Sequence, residues 1–362
     1  MKENLKALDG LRGMAAVYVL VHHARLALTQ PYLNGLAAHP EQYQWYDRLM
    51  VYGFGLFKFG HEAVVIFFVL SGFVIHLKQA NPNYSFQNFN PISYFEKRVV
   101  RIYPTLLISF LLCVLTDVLI YLFATNDLSI FSKYTLSNFL YNFFLVPEAP
   151  IWGNNFPVWS LKHEWFFYIL YPFLFWSYQQ FKPLPLIICS VLFLSYLFHL
   201  RIPFIGAAAY TLSIWLLGVA LASLYKKGLK LINYTHYLIG LGFVYLLINR
   251  ENSDYYPFLD LCFGLIAAGI LALIVKNKLP ILNRFLAAVS SLGAFSYSLY
   301  LLHFPILNLF REIALRYTKK HQLPYHLWYV LLSIIVTIPI IYGIYYYTER
   351  IAINYKKKSF RS

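Results

Sequence analysis

The stretch Ile102–Phe123, IYPTLLISFLLCVLTDVLIYLF, decides the fold. A helix needs about 20 mostly apolar residues to cross the roughly 30 Å hydrocarbon core of a bilayer, and this run is long enough. Lys97, Arg98 and Arg101 stand immediately before it, the basic flank expected at a cytosolic helix end. Working outward, comparable runs recur at Leu11–Leu28, Phe59–Leu77, Leu161–Tyr178, Leu184–Leu200, Ile205–Leu224, Leu231–Ile248, Tyr256–Val275, Leu292–Phe310 and Leu327–Tyr347. Leu136–Val146 is shorter. If it does not cross, Lys and Arg concentrate on the side holding both termini, the distribution that sets orientation in membranes.

The sequence therefore predicts an all-α integral membrane protein of about ten transmembrane helices plus one short interfacial or re-entrant helix, with N and C termini cytosolic. One transmembrane domain over residues 1–350 and a basic cytosolic tail over 351–362 are expected. Composition agrees, because the 362 residues are 59% hydrophobic and only 12% charged, too apolar to hide in one water-soluble core. Aromatic residues at 20% suit helices that cross two membrane interfaces. The formal charge of +15 follows the ends of apolar runs rather than one polar face, so the reading is anchoring to the bilayer and no nucleic-acid partner. Cys113, Cys189 and Cys262 lie inside apolar runs without ligand spacing, which predicts no disulfide and no metal. The first run carries Arg12, His22 and His23 and is expected to stay as a helix rather than to be cleaved as a signal peptide.

Ionisable groups inside spans are costly and usually face a polar cavity, so they are the candidates for chemistry. Arg12 and His23 are 11 residues apart and share one face of the first helix, about 16 Å apart along its axis. The bland alternative is an arginine that snorkels to the headgroups and a histidine packed near the interface. His22 lies about 100° around the helix from His23, so at most one of them shares the Arg12 face; periodicity favours His23. In the second run, His61 and Glu62 stand at the outer end, and Ser71 and Gly72 read either as helix packing or as a site. Ser71 lacks the G-x-S-x-G elbow of a nucleophile.

EKRVVRIYP places Lys97, Arg98 and Arg101 at the mouth of the third run, with the arginines three apart on one face. Arginine forks match phosphate oxygens, although anchoring alone would yield the same residues. PVWSLKHEWFFY carries Lys162, His163 and Glu164, where Glu164 either orients a partner or belongs to an interfacial Lys162/Glu164 arrangement. SYSLYLLHFPI places His303 on an apolar helix, either as a core residue or as a contact to the acceptor.

Five fragments in order, LDGLRG with Arg12 and His23, FFVLSGF (Phe67–Phe73), KRVVRIYP (Lys97–Pro104), WSLKHEWFFY (Trp159–Tyr168) and SYSLYLLH (Ser296–His303), resemble the membrane acyltransferases of acyltransferase family 3. The resemblance implies an O-acyltransferase that moves an acyl group, most simply acetyl, from cytosolic acetyl-CoA or another acyl-CoA to a hydroxyl of a cell-envelope or exported glycan or glycoside. By position, Arg12 and His23 correspond to the essential first-helix pair, and Arg98 and Arg101 to the arginine motif associated with the CoA donor. Two departures stand out: His163 precedes the glutamate where relatives often have a small or uncharged residue, and Lys97 replaces an arginine. No fused esterase-like domain is expected.

Taken together, the expectation assigns His23, Arg12 and Glu164 to catalysis, Arg98, Arg101 and Lys97 to acyl-CoA, and His303, Glu62 and His61 to the acceptor. His23 either takes the proton of the acceptor hydroxyl or carries the acyl group covalently. The expected partners are the lipid bilayer, acyl-CoA and a glycan acceptor, in a multi-pass protein of the bacterial cytoplasmic membrane. The competing reading is a transporter of a glycan or lipid-linked intermediate, whose signature would be repeats with interrupted helices.

Overall fold

The computed structural model describes residues 2–29, 35–200, 202–228, 240–242, 256–317, 323, 326–352 and 354. Among them the regular structure is helical. Single-turn segments apart, the helices are α1 (Lys2–Leu28), α2 (Trp45–Gly55), α3 (Gly60–His76), α4 (Pro91–Ile120), α5 (Leu136–Phe143), α6 (Val158–Gln180), α7 (Leu184–Leu197), α8 (Ala208–Lys226), α9 (Tyr256–Val275), α10 (Pro280–Ala288), α11 (Ser291–Tyr317) and α12 (Trp328–Tyr347).

Local chemistry starts several of these helices. Asn90 accepts the Ser93 N–H at 3.0 Å ahead of Pro91, the first residue of α4, and Thr135 accepts the Asn138 N–H at 3.2 Å to open α5.

Six stretches of the described residues are long and apolar enough to cross a membrane: Trp45–His76, Pro91–Thr125, Ala208–Lys226, Tyr256–Val275, Ser291–Tyr317 and Trp328–Ala352. The chain is a multi-pass membrane protein whose regular structure, among the described residues, is all helical. The expected runs at Leu11–Leu28 and Leu161–Tyr178 lie in α1 and α6, of 27 and 23 residues, which have the length but carry ionisable groups among their apolar residues. The run at Leu184–Leu200 yields a helix of only 14 residues, about 21 Å long. The expected span Leu231–Ile248 lies outside the described residues apart from 240–242. Helix α5 has 8 residues, about 12 Å, and is too short to cross the hydrocarbon core.

The packing that positions the site is centred on α1, which lies along α11 and also touches α3 and α10, while α3 packs on α8 and α9. Backbones approach closely where glycine permits it. A Cβ on Gly293 would strike the Asp9 carbonyl, and one on Gly13 would come 2.7 Å from the Gly293 nitrogen, so α1 and α11 meet through these two residues.

Two prolines inside helices have a specific consequence. Proline has no N–H, so the carbonyl four residues earlier loses its helical partner. In α6, Pro172 frees the Tyr168 carbonyl, which accepts the Tyr94 hydroxyl of α4 at 3.2 Å. In α11, Pro305 frees the Leu301 carbonyl, which accepts Asn155 Nδ2 at 2.8 Å. Each freed carbonyl is thus tied to a neighbouring segment, as an apolar interior requires of a polar backbone group.

Candidate active site

A cavity of about 290 Å³ opens among α1, α3, α4, α6 and α11. Arg12 lines it from α1, and Lys97, Arg98 and Arg101 line it from α4. Glu164 and Tyr168 of α6 and Ser71 of α3 line it as well, with the Arg98 guanidinium 5.5 Å from the centre of the Tyr168 ring. Ser160, Phe67 and Tyr300 complete the wall, the Phe67 and Tyr300 rings meeting edge to face at 5.5 Å. One space therefore gathers Arg12, the three basic residues and Glu164, drawn from three well-separated parts of the chain.

The arginines are held differently. Arg98 lies over the Tyr94 ring at 3.5 Å from its centre and donates to the Tyr94 carbonyl at 2.5 Å, so its guanidinium rests on an aromatic shelf. Arg12 donates to Asp9 at 2.8 Å and to the Gly293 carbonyl at 3.1 Å, which ties α1 to the start of α11. Asp9, Glu349 and Glu164 attract the Arg12 charge while Arg101 opposes it. Glu349 is buried and accepts the Ser298 hydroxyl at 2.5 Å. Sequence reasoning passed over Glu349, although a carboxylate at the end of the apolar run Trp328–Ala352 was a usable signal.

Donor and acceptor capacity fixes the direction of a chain of bonds along the cavity wall. The Trp215 indole can only donate, and it gives its hydrogen to Ser71 Oγ at 3.2 Å. The Tyr168 hydroxyl donates to the Glu164 carboxylate. Its one hydrogen is then used, so across the 3.0 Å contact Ser71 donates to Tyr168. Glu164 is thereby held by Tyr168, and the Ser71 hydroxyl is committed as a link rather than free as a nucleophile. Lys162 does not join Glu164 in an ion arrangement: its Nζ donates to the Ala149 carbonyl at 2.8 Å. His163, the departure seen in the sequence, turns to Thr211 of α8 at 3.1 Å.

His23 is not part of the cavity lining that holds Arg12. Its Nδ1 lies 2.8 Å from Nε2 of His303, with the two rings stacked at 5.1 Å. Arg12 reaches Gly293 and His23 reaches His303, so α1 and α11 run parallel, and equal helical rise brings both contacts into register. His303 is fully buried, and its Nδ1 sits 3.0 Å from the Leu299 carbonyl. A carbonyl can only accept. With both rings neutral, His303 therefore carries its hydrogen on Nδ1 and offers Nε2 as acceptor, and His23 must donate from Nδ1. The lone pair of His23 is left on Nε2. This is the arrangement of a base oriented by a second group.

The pair stands close to the cavity. His303 follows Tyr300 by one turn of α11, and their rings are 6.1 Å apart, so Tyr300 separates the cavity from the histidines. His22 faces elsewhere, its Nδ1 2.8 Å from the Phe57 carbonyl. His61 belongs to another cluster. His61 Nε2 contacts Asp260 at 2.7 Å, and its ring stacks on Trp159 and meets Tyr256 at a steep angle, while Glu62 is buried. Neither lines the arginine cavity.

The arrangement sets a cavity lined by Arg12, Lys97, Arg98 and Arg101 on one side of Tyr300 and an oriented imidazole on the other. Comparison with curated proteins and with solved structures returns no match. The family model described as acyltransferase domain matches residues 5–346, and this span contains every side chain that lines the cavity, together with both histidines. A match over nearly the whole chain shows the family, and the protein belongs to acyltransferase family 3.

Proposed function

We propose that the protein transfers an acyl group, acetyl in the simplest case, from acyl-CoA to a hydroxyl of a glycan or glycoside of the cell envelope. In this reading the CoA phosphates sit on Lys97, Arg98 and Arg101 at the cytosolic face of the membrane, where forked guanidinium donors suit phosphate oxygens. A cavity of about 290 Å³ is too small for a whole CoA but suits its narrow thioester arm. The arm would run past Arg12 and Glu164 toward Tyr300.

The observation that carries the reading is the His23–His303 pair one helical turn beyond Tyr300. His23 Nε2 takes the proton from the acceptor hydroxyl as its oxygen attacks the thioester carbonyl. The carbon–sulfur bond then breaks, the ester remains on the acceptor, and the proton passes from His23 to the departing CoA thiolate. Arg12 supplies positive charge on the donor side, and Glu164, held by Tyr168, orients groups in the channel.

The test is acetyl-CoA-dependent transfer by purified protein in liposomes, against a panel of cell-envelope polysaccharides and methyl glycosides. Wild type should release CoA and form an acetyl ester. His23→Ala should do neither while retaining acetyl-CoA binding, and Arg98→Ala should lose affinity for acetyl-CoA. Full activity in His23→Ala would remove His23 from the chemistry, and a wild type that neither binds nor turns over acetyl-CoA would end the reading.

A further inference from the structure

Two neighbouring residues of the segment before α6 bear on the histidine pair. Asn155 is buried, with 2% of its surface exposed, and its Nδ2 donates to the Leu301 carbonyl at 2.8 Å. That carbonyl has lost its helical partner to Pro305, and Leu301 lies between Leu299, which holds His303 Nδ1, and His303 itself. The next residue, Phe156, packs against Phe304 at 6.1 Å, and Phe304 meets the edge of His23 at 5.4 Å. The segment is itself fixed. Asn154 bonds Asp117 of α4, which also accepts the Tyr134 hydroxyl at 2.6 Å, and Lys162 holds Ala149 at 2.8 Å.

We infer that Asn155 is a positioning residue for acyl transfer: by supplying the hydrogen bond that Pro305 removes from α11, it fixes the helical turn that aims His303 at His23. The inference rests on the acyl-transfer reading of the histidine pair but concerns a residue outside both the cavity and the pair. Its physical basis is a single unmet acceptor. A proline kink in an apolar interior holds a defined angle only when the freed carbonyl has a partner. The only side chain that donates to the Leu301 carbonyl among the described residues is Asn155. Without it, the turn carrying Leu299 to His303 would re-satisfy its backbone by local rearrangement, and a contact of 2.8 Å between two ring nitrogens tolerates little displacement. His23 would lose the acceptor that keeps its hydrogen on Nδ1.

A second substitution should suppress the effect of losing Asn155. Pro305→Ala restores an N–H four residues after Leu301, so the helix satisfies that carbonyl unaided and Asn155 becomes dispensable. The experiment uses full-length protein and four forms: wild type, Asn155→Ala, Pro305→Ala and the double variant. Diethyl pyrocarbonate is the probe, and the rate of His23 modification is followed by peptide mass spectrometry, with the half-exposed His326 as internal reference. Asn155→Ala should change the His23 rate at least threefold in the native background and leave it within error in the Pro305→Ala background. A merely structural asparagine would lower thermal stability in both backgrounds without this conditional change. An unchanged His23 rate in Asn155→Ala, or an equal change in both backgrounds, overturns the proposal. Should Asn155→Ala yield no folded protein, folded protein from the double variant supports it, and its absence overturns it. The labelling does not need turnover, so failure of wild-type acetyl transfer would strike the proposed function separately.

Discussion

His23 Nδ1 and His303 Nε2 stand 2.8 Å apart although 280 positions separate the two residues in the chain. The Leu299 carbonyl determines which ring donates, and the result leaves Nε2 of His23 with its lone pair. His303→Phe keeps most of the buried volume but removes the acceptor. We expect kcat for acetyl transfer to fall by about 10²-fold or more, the scale of a misplaced general base, with KM for acetyl-CoA changed by less than about twofold. Steady-state kinetics on protein of verified thermal stability decides it. A kcat equal to wild type would mean that His303 only fills space.

Arg98 is held by stacking on Tyr94 as well as by charge. Lysine keeps the charge but loses the planar fork, so Arg98→Lys should behave more like Arg98→Ala than like wild type. Each should raise the dissociation constant for CoA by roughly ten- to a hundredfold, the worth of one charge-assisted hydrogen bond. Titration with CoA and with dephospho-CoA reads the effect. Wild-type affinity in Arg98→Lys would show that a point charge suffices.

The Tyr94 hydroxyl serves the carbonyl that Pro172 frees. Tyr94→Phe should lower the stability of the folded protein by about 1–3 kcal/mol, the cost of leaving a buried acceptor unmet. In a Pro172→Ala background the same substitution should cost under about 0.5 kcal/mol, because the helix then supplies the N–H. A double-mutant cycle of thermal unfolding in detergent measures the difference. Equal costs in the two backgrounds would detach the hydroxyl from the kink.

Helices α3 and α8 meet through two glycines. A Cβ at Gly72 would strike the Trp215 carbonyl and lie 3.2 Å from the Val219 nitrogen, and one at Gly218 would lie 2.7 Å from the Phe73 nitrogen. Gly72→Ala and Gly218→Ala should each destabilise by about 1–3 kcal/mol through overpacking. Because Ser71 and Trp215 flank this contact and hold Tyr168, both variants should also lower activity in the folded fraction. Gly343, where an added Cβ would meet nothing within 4 Å, is the control, and Gly343→Ala should be neutral.

Much of the architecture was legible in the chain because lipid imposes one strong condition, that spanning segments be long and apolar. Ile102–Phe123 and Tyr256–Val275 meet it; Tyr256–Val275 is helix α9, and Ile102–Phe123 fills most of α4 and runs just past its end. Leu11–Leu28 and Leu161–Tyr178 lie in helices α1 and α6, whose apolar character Arg12, His23 and Glu164 interrupt. The gathering of Arg12, Arg98, Arg101 and Glu164 around one space was not legible, because it depends on how α1, α4 and α6 pack. The short run Leu184–Leu200 was less legible, because apolar composition does not reveal where a helix of 14 residues ends.

By itself, then, the sequence determined the solvent of this protein, the helical state of its chain and the inventory of ionisable side chains placed inside helices, because each depends on composition and spacing along a single segment. Only the tertiary structure decided which of those side chains meet. Helical periodicity puts His23 and Arg12 on one face, yet it cannot say that His23 turns to His303, that His61 belongs to Asp260, or that Asn155 meets the carbonyl freed by Pro305. Those pairings are set by how closely neighbouring helices approach and by which donors remain for acceptors that have lost their own, and both are properties of packed helices rather than of any one of them.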